Sequence, residues 1–140
     1  MITRRLFVMF ALATLAACGE NGTTGPVTVN LVGSWKLQSV NGAALPFSQT
    51  TATGKYEIFD GSIDIQGTGS FTMNLTTRTT TWTSSSVFVL TTYGTVDISG
   101  GAVIFKRQDI PNDPGQTASL SPNTIGLTQN GYALEFVKLQ

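Results

Sequence analysis

Few side chains in this sequence are equipped for chemistry. Its 140 residues contain no histidine and a single cysteine, Cys18. Histidine is the commonest general base and zinc ligand, so its absence excludes Ser-His and Cys-His nucleophiles and most zinc sites. We therefore expect a protein that is not an enzyme, with no catalytic residue and no metal or other cofactor.

Two groups of acidic residues offer alternatives to that expectation, one catalytic and one metal-binding. Asp60 and Asp64 are a possible carboxylate pair for glycoside hydrolysis, but their spacing along one predicted strand is explained more simply by a solvated face. Asp109, Asn112 and Asp113 offer oxygen ligands of the kind that calcium prefers. Their spacing matches no EF-hand loop, and Asx-turns beside the two neighbouring prolines account for them.

The first residues have the layout of an export signal. A basic start is followed by an apolar run, from Leu6 to Ala13, that is too short to span a bilayer. The segment 15–18, Leu-Ala-Ala-Cys, resembles the lipobox of bacterial lipoproteins. This resemblance implies cleavage before Cys18, acyl chains on that residue and anchoring in a membrane. Gly19 in second place implies the outer membrane of a Gram-negative bacterium, where we expect the periplasmic face. An ordinary signal peptide with an incidental cysteine is the alternative.

These features divide the chain into a signal peptide (1–17), a lipidated cysteine with a small, polar, Gly-rich segment predicted to be a flexible tether (18–30), and one domain (31–140). Without the two arginines of the signal, six basic residues face eight acidic ones, a formal charge of −2. A nucleic-acid partner is therefore not expected, because phosphate binding requires a clustered basic surface.

Apolar residues at every second position recur through the domain, and no helical period is present. Turn signals such as Asn41-Gly42 and Asn130-Gly131 separate the segments. Across Asp60-Gly61 the apolar parity shifts, which predicts a β-bulge. Eight strands joined mostly by tight turns favour an all-β, up-and-down antiparallel barrel. The predicted strands cover residues 33–40, 55–66, 71–76, 87–99, 102–108, 116–121, 124–129 and 132–139.

Three short motifs carry a family likeness. Gly33-Ser34-Trp35, the segment Val-Asn-Gly-Ala-Ala-Leu-Pro at 40–46 and the segment Tyr-Ala-Leu-Glu-Phe-Val-Lys at 132–138 together resemble the bacterial lipocalin-like lipoproteins. The resemblance implies that Gly33 and Trp35 open the first barrel strand and that Trp35 packs across the closed end against a basic residue of the last strand. Lys138 occupies that place, where arginine is more usual. A group of small heat-shock-lipoprotein-like domains, which begin with a Trp-x-Leu strand, is the alternative resemblance.

The lipocalin likeness implies a small apolar ligand inside the barrel. An eight-stranded barrel either holds one small ligand or is filled by its own side chains, so both interpretations remain open. The alternative is a structural or protein-interaction lipoprotein with a filled barrel and an envelope protein as partner. The predicted ligand-binding residues are Trp35, Leu37, Ile63, Ile65, Phe71, Met73, Leu75, Phe105, Leu134 and Phe136.

Two features of the third hairpin offer an outer surface for such a partner. The Thr/Ser-rich stretch 79–86 is predicted to be the hairpin tip, with Trp82 as a contact; alternatively the strand continues and Trp82 is a wall residue. Residues 87–90, Val-Phe-Val-Leu, are apolar at odd and even positions alike, so both faces of the predicted strand are apolar there. Either a loop or a neighbouring copy covers one outer face there, or a local bulge explains the pattern.

Overall fold

The computed structural model of this protein describes residues 30–140, and their regular structure consists of β-strands. Those residues contain no helix long and apolar enough to cross a membrane. The predicted signal peptide, Cys18 and most of the tether lie outside the described residues. The strands are β1 Gly33–Val40, β2 Ala43–Ala44, β3 Phe47–Thr51, β4 Gly54–Ile65, β5 Ser70–Thr81, β6 Ser85–Ser99, β7 Ala102–Arg107, β8 Gln116–Thr117, β9 Ser119–Ser121, β10 Thr124–Gln129 and β11 Tyr132–Lys138.

The strands form one antiparallel sheet that curls into a nearly closed barrel. Their order is β8-β7-β6-β5-β4-β1-β11-β10-β9. The two ends of this order, β8 and β9, are consecutive in the chain and separated only by Ala118. Since β8 pairs with β7 and β9 pairs with β10, residues 116–121 bridge the last gap. This architecture is compatible with a lipocalin-like fold.

The predicted all-β, up-and-down antiparallel barrel is confirmed, although the number of strands differs. All eight predicted strands are present, and the sixth is divided at Ala118 into β8 and β9. β2 and β3 lie between the first two predicted strands, where the sequence analysis predicted none. β3 forms there because β1 pairs only with the C-terminal end of β4, at Ser62–Ile65, and β3 pairs along the vacant edge of its first half.

A β-bulge in β4 explains the parity shift in the sequence. The pairing of β4 with β5 shifts register between Ile58 and Asp60, so Phe59 is the extra residue. The predicted bulge is therefore present, one residue before Asp60-Gly61. Because of it, Ile58 and Ile63 both face the interior and are fully buried despite their odd separation.

Asn-Gly turns set two strand connections. Asn41 and Gly42 have φ values of 52° and 77°, and Asn130 and Gly131 have values of 50° and 82°. Both central residues of a type I′ turn require such positive values, so the predicted turns are confirmed. Asn41 also exchanges two hydrogen bonds with Ala133, at 2.7 Å to its backbone oxygen and 2.8 Å from its backbone nitrogen. These bonds tie the first turn to the last strand.

The inward-facing residues of successive strands form one hydrophobic core. Alternation along β1, β4, β5, β7, β10 and β11 places their apolar side chains on the inner face of the barrel. The buried apolar residues are Leu31, Trp35, Leu37, Val40, Ile58, Ile63, Ile65, Phe71, Met73, Leu75, Val103, Phe105, Ala118, Ile125, Leu127, Leu134 and Phe136.

The β5–β6 hairpin is longer than the sequence analysis predicted. β5 runs to Thr81 and β6 begins at Ser85, so the tip is residues 82–84 and not 79–86. The strand pairing extends to Thr80 and Ser85, whose side-chain hydroxyls form a hydrogen bond with their oxygens 3.2 Å apart. Trp82 lies in the turn with 86% of its surface exposed, so the interpretation of Trp82 as a wall residue is wrong.

Candidate functional site

The ten predicted ligand-binding residues fall into two groups in the structure. All ten are buried. Three of them, Phe71, Met73 and Phe105, line a cavity at one end of the barrel, whereas the others pack in the core away from it. The residues in this second group are Trp35, Leu37, Ile63, Ile65, Leu75, Leu134 and Phe136.

We name the cavity the mouth cavity. It encloses about 210 Å³ and lies between β5, β6, β7, β10 and the loop that follows β7. Its apolar wall is Phe71, Met73, Phe105 and Leu127. The rings of Phe71 and Phe105 meet edge to face with centroids 5.0 Å apart, which holds both rings in place. The remaining lining residues are Thr92, Arg107, Asp113, Gly115, Gln116, Thr128, Gln129 and Asn130.

The polar side of the mouth cavity contains an acceptor without a partner. Gln129 Nε2 donates a long hydrogen bond, 3.4 Å, to the hydroxyl of the buried Thr92. Gln129 Oε1 is buried and has no hydrogen-bond partner among the described residues. An unsatisfied buried acceptor costs free energy, so a donor on a bound molecule would be favoured at this position.

The loop at 108–115 forms the rim of the mouth cavity and is organised by two carboxylates. Asp113 accepts hydrogen bonds from the backbone nitrogens of Arg107, at 2.6 Å, and Gly115, at 3.0 Å. Asp109 pairs with the Arg107 guanidinium through two hydrogen bonds, at 3.0 and 2.5 Å. The bond from Gly115 to Asp113, two residues earlier, is an Asx-turn, whereas Asp109 forms an ion pair with the side chain of Arg107 at the end of β7.

Acid is expected to loosen this rim. The backbone hydrogen bonds from Arg107 and Gly115 lower the pKa of Asp113, and the hydrogen bond from Arg107 lowers that of Asp109. A folded-state pKa below the unfolded value means that the stabilisation is present above the unfolded pKa and is lost as pH falls through the folded one.

We expect the amide resonances of Arg107 and Gly115 to move together in an NMR titration below about pH 4. In Asp113→Asn both movements should disappear, because an amide does not titrate there. Ser99, the last residue of β6 at the other end of the barrel, provides the control resonance. Movements that persist in the variant would contradict the role of Asp113.

An aromatic cluster lies at the same end of the barrel. The ring of Tyr132 meets Phe47 edge to face at 5.6 Å and stacks on Tyr56 at 5.8 Å. The Tyr132 hydroxyl donates to Gln49 Oε1 at 2.7 Å. Burial raises the pKa of Tyr56, so its hydroxyl stays protonated at neutral pH. These side chains attach β3 to the barrel.

The structure brings together the three residues predicted to pack at the opposite end. Trp35 is fully buried, and its indole nitrogen donates to the Leu31 oxygen at 2.9 Å. Lys138 lies opposite Trp35 in the β1–β11 register, with its ammonium 5.3 Å from the ring centroid, a cation–π distance. A Cβ on Gly33 would lie 3.5 Å from the Lys138 side chain. This end is occupied by side chains, and the mouth cavity lies at the other.

Sequence reasoning predicted only three of the twelve residues that line the mouth cavity. Leu127 follows the inward alternation of 124–129, which would have identified it, and Gln129 continues the same parity. Thr92 gave no apolar signal, although it is two residues from Gly94 on the inner face of β6.

The chain matches no protein-family model and no curated protein sequence.

Proposed function

We propose that this protein is a lipid-anchored, lipocalin-like protein of the Gram-negative envelope that binds a small, mainly apolar molecule in the mouth cavity. The anchor on Cys18 and the outer-membrane location rest on residues 1–19 of the sequence. The observation that carries the binding proposal is the buried, unpartnered Gln129 Oε1 beside an apolar wall.

The size of the mouth cavity limits the ligand. Drug-sized ligands occupy pockets of roughly 300–1,000 Å³, and this cavity of about 210 Å³ is smaller. It holds the volume of about seven water molecules at liquid density. A single ring with one hydroxyl or amide donor fits both the volume and the unpartnered acceptor, whereas a whole lipid does not.

Phenol and toluene are suitable probes because they differ mainly in the hydrogen-bond donor. We expect both to shift the NMR resonances of the Phe71, Met73 and Leu127 side chains. Phenol should bind about tenfold more tightly, a difference of about 1.4 kcal/mol, which is within the range for satisfying a buried acceptor. Equal affinities would argue against the role of Gln129 Oε1. No shift with either probe would overturn the binding proposal.

A substitution that fills the mouth cavity should abolish this binding. Thr92→Leu adds apolar volume inside the cavity and is expected to weaken phenol binding by at least about tenfold. Thr91→Leu is the matched control, because the neighbouring side chain is exposed and bonds Asn74 on the outer face. Thermal melts of both variants show whether the fold is kept. Loss of binding in both variants would contradict the cavity as the site.

A structural or protein-interaction role with a filled barrel is the second candidate function. It is favoured by the packing of most predicted ligand-binding residues in the core and by the exposed apolar residues 87–90. Native mass spectrometry of the protein purified from its own envelope discriminates the two. Extra mass of a small molecule supports ligand binding, whereas an apoprotein bound to another protein supports this role.

A further inference from the structure

The first half of β6 has a strand partner on only one side. β5 pairs with β6 from Ser85 to Thr95, but β7 pairs only with Gly94–Ser99. The last backbone bond on the β7 side runs from the Gln108 nitrogen to the Tyr93 oxygen, at 2.9 Å. Among residues 30–140, no strand pairs with the other edge of residues 85–92. We name this segment the free edge.

Backbone geometry shows which groups the free edge presents. Tyr93 directs its carbonyl toward β7, and in a strand the residues at i and i−2 direct their backbone groups to the same side. The β5–β6 register is continuous over this segment. Thr91, Val89, Val87 and Ser85 therefore offer unpaired N–H and C=O groups in a straight row.

Apolar side chains flank this row on both faces of the hairpin. Val87 and Val89, on the outer face, are 54% and 61% exposed. Phe88 and Leu90, on the face that continues the barrel interior, are 52% and 40% exposed. Isolated exposed apolar residues are ordinary, but four consecutive ones beside an unpaired strand edge are typical of an interaction surface.

Within residues 30–140, this edge lacks the usual protection of an edge strand. Natural edges carry lysine, proline, a bulge or a covering segment. Residues 79–96 contain no charged residue and no proline. The hairpin of β5 and β6 continues through β4, and there the edge is protected, because β3 pairs with the first half of β4. In the part of the chain that the structure describes, one edge of these strands is thus covered and the other is open.

We propose that the free edge pairs with the free edge of a second copy of this chain, antiparallel about a two-fold axis at Phe88. This register uses the whole segment, placing Ser85 opposite Thr91 and Val87 opposite Val89. It joins the two hairpins into one continuous sheet. The row is uncharged, so two identical edges meet without repulsion, and every exposed backbone group gains a partner.

Two other kinds of partner, a membrane and a charged molecule, fit the free edge less well. Insertion into a membrane would leave the backbone row without hydrogen bonds in hydrocarbon. A charged partner would find no complementary charge within residues 79–96. Val87, Phe88, Val89, Leu90 and Tyr93 expose on the order of 400–500 Å² per copy. Pairing of two copies buries at most the sum of these areas, about 1,000 Å², which is the lower limit for specific interfaces, so the dimer is weak and reversible.

Disulfide crosslinking of the full chain, kept in the membranes of a Gram-negative host, tests the register. Residues on the axis form a non-hydrogen-bonded pair with Cα atoms about 4.5 Å apart, close enough for a disulfide. Under mild oxidation, Phe88→Cys should yield about tenfold more disulfide dimer than the wild-type chain, which carries Cys18 alone. Ser99→Cys, exposed at the opposite end of β6, should resemble the wild type.

Sedimentation of the detergent-solubilised full chain tests the association itself. Val89→Lys introduces a charge into the free edge and should convert a concentration-dependent dimer to a monomer. Ile98→Lys is the matched control, because it is an exposed apolar residue of the same strand that lies outside the free edge and pairs with Val103 of β7. We expect it to leave the dimer unchanged. Thermal melts verify that both variants fold.

Several outcomes would overturn the proposal. The wild-type chain could stay monomeric at all concentrations. Ser99→Cys could crosslink as efficiently as Phe88→Cys. Phe88→Cys could also crosslink to a different protein. A membrane contact would be indicated instead if Val89→Lys abolished binding of the hairpin to lipid vesicles but left the sedimentation mass of the protein unchanged.

Discussion

Replacing Trp35 with alanine is expected to lower the free energy of unfolding by about 3–5 kcal/mol, the cost of removing a large aromatic side chain from a core. The residue is fully buried, and its indole donates a hydrogen bond to the Leu31 oxygen. The substitution also removes the ring beneath the Lys138 ammonium. Urea denaturation of the purified protein measures the effect, and most domains of this size would be close to unfolding at 37 °C after such a loss.

Trp82 provides the matched control for this prediction. It is the other tryptophan of the chain and is exposed in the β5–β6 turn. Trp82→Ala should change the free energy of unfolding by no more than about 0.5 kcal/mol. Trp35→Phe keeps much of the apolar volume and should fall between the two. Equal effects of Trp35→Ala and Trp82→Ala would contradict the closed end described above.

Gly94→Ala is expected to lower the free energy of unfolding by about 1–3 kcal/mol or more, because the site has no space for a Cβ. A Cβ at Gly94 would overlap the backbone oxygen of Lys106 and lie 2.6 Å from the Phe71 ring. A backbone carbonyl in a paired strand moves only with its strand, so the strain is not relieved by a side-chain rotation. The substitution should also disturb the mouth cavity, of which Phe71 forms part of the wall.

Gly67→Ala is the control for the backbone effect of losing a glycine. Gly67 has no atom within 4 Å of a built Cβ and no positive φ. That substitution is expected to be neutral or slightly stabilising, by up to about 1 kcal/mol, since it restricts the unfolded chain. A chemical denaturation series on both variants separates the two cases. Comparable stabilities would show that β6 and β7 can move apart at Gly94.

The alternation of apolar residues was sufficient to predict the class of fold and most strand boundaries. Period two marks which side chains share a face, and Asn-Gly turns mark where the chain reverses. The inward residues of β5, such as Phe71, Met73 and Leu75, were therefore identified correctly as interior. The shift of parity near Asp60 located the bulge within one residue, because an inserted residue changes the face of everything that follows it.

Alternation assigns a face, but it does not say what lies across the barrel from a given residue. Leu75 and Met73 are inward residues of the same strand, yet only Met73 borders the mouth cavity. The difference depends on the relative stagger of distant strands and on the loop after β7, which alternation within a single strand does not record.

The sequence by itself thus determined an all-β chain of alternating strands with Trp35 in its first strand, because local geometry fixes the face of each residue. Only the tertiary structure decided where space remains inside the barrel and which strand edge lacks a partner. Both depend on how far each strand extends past its neighbour. β6 continues well beyond the end of β7, and that difference in length leaves one edge of residues 85–92 without a strand partner among residues 30–140.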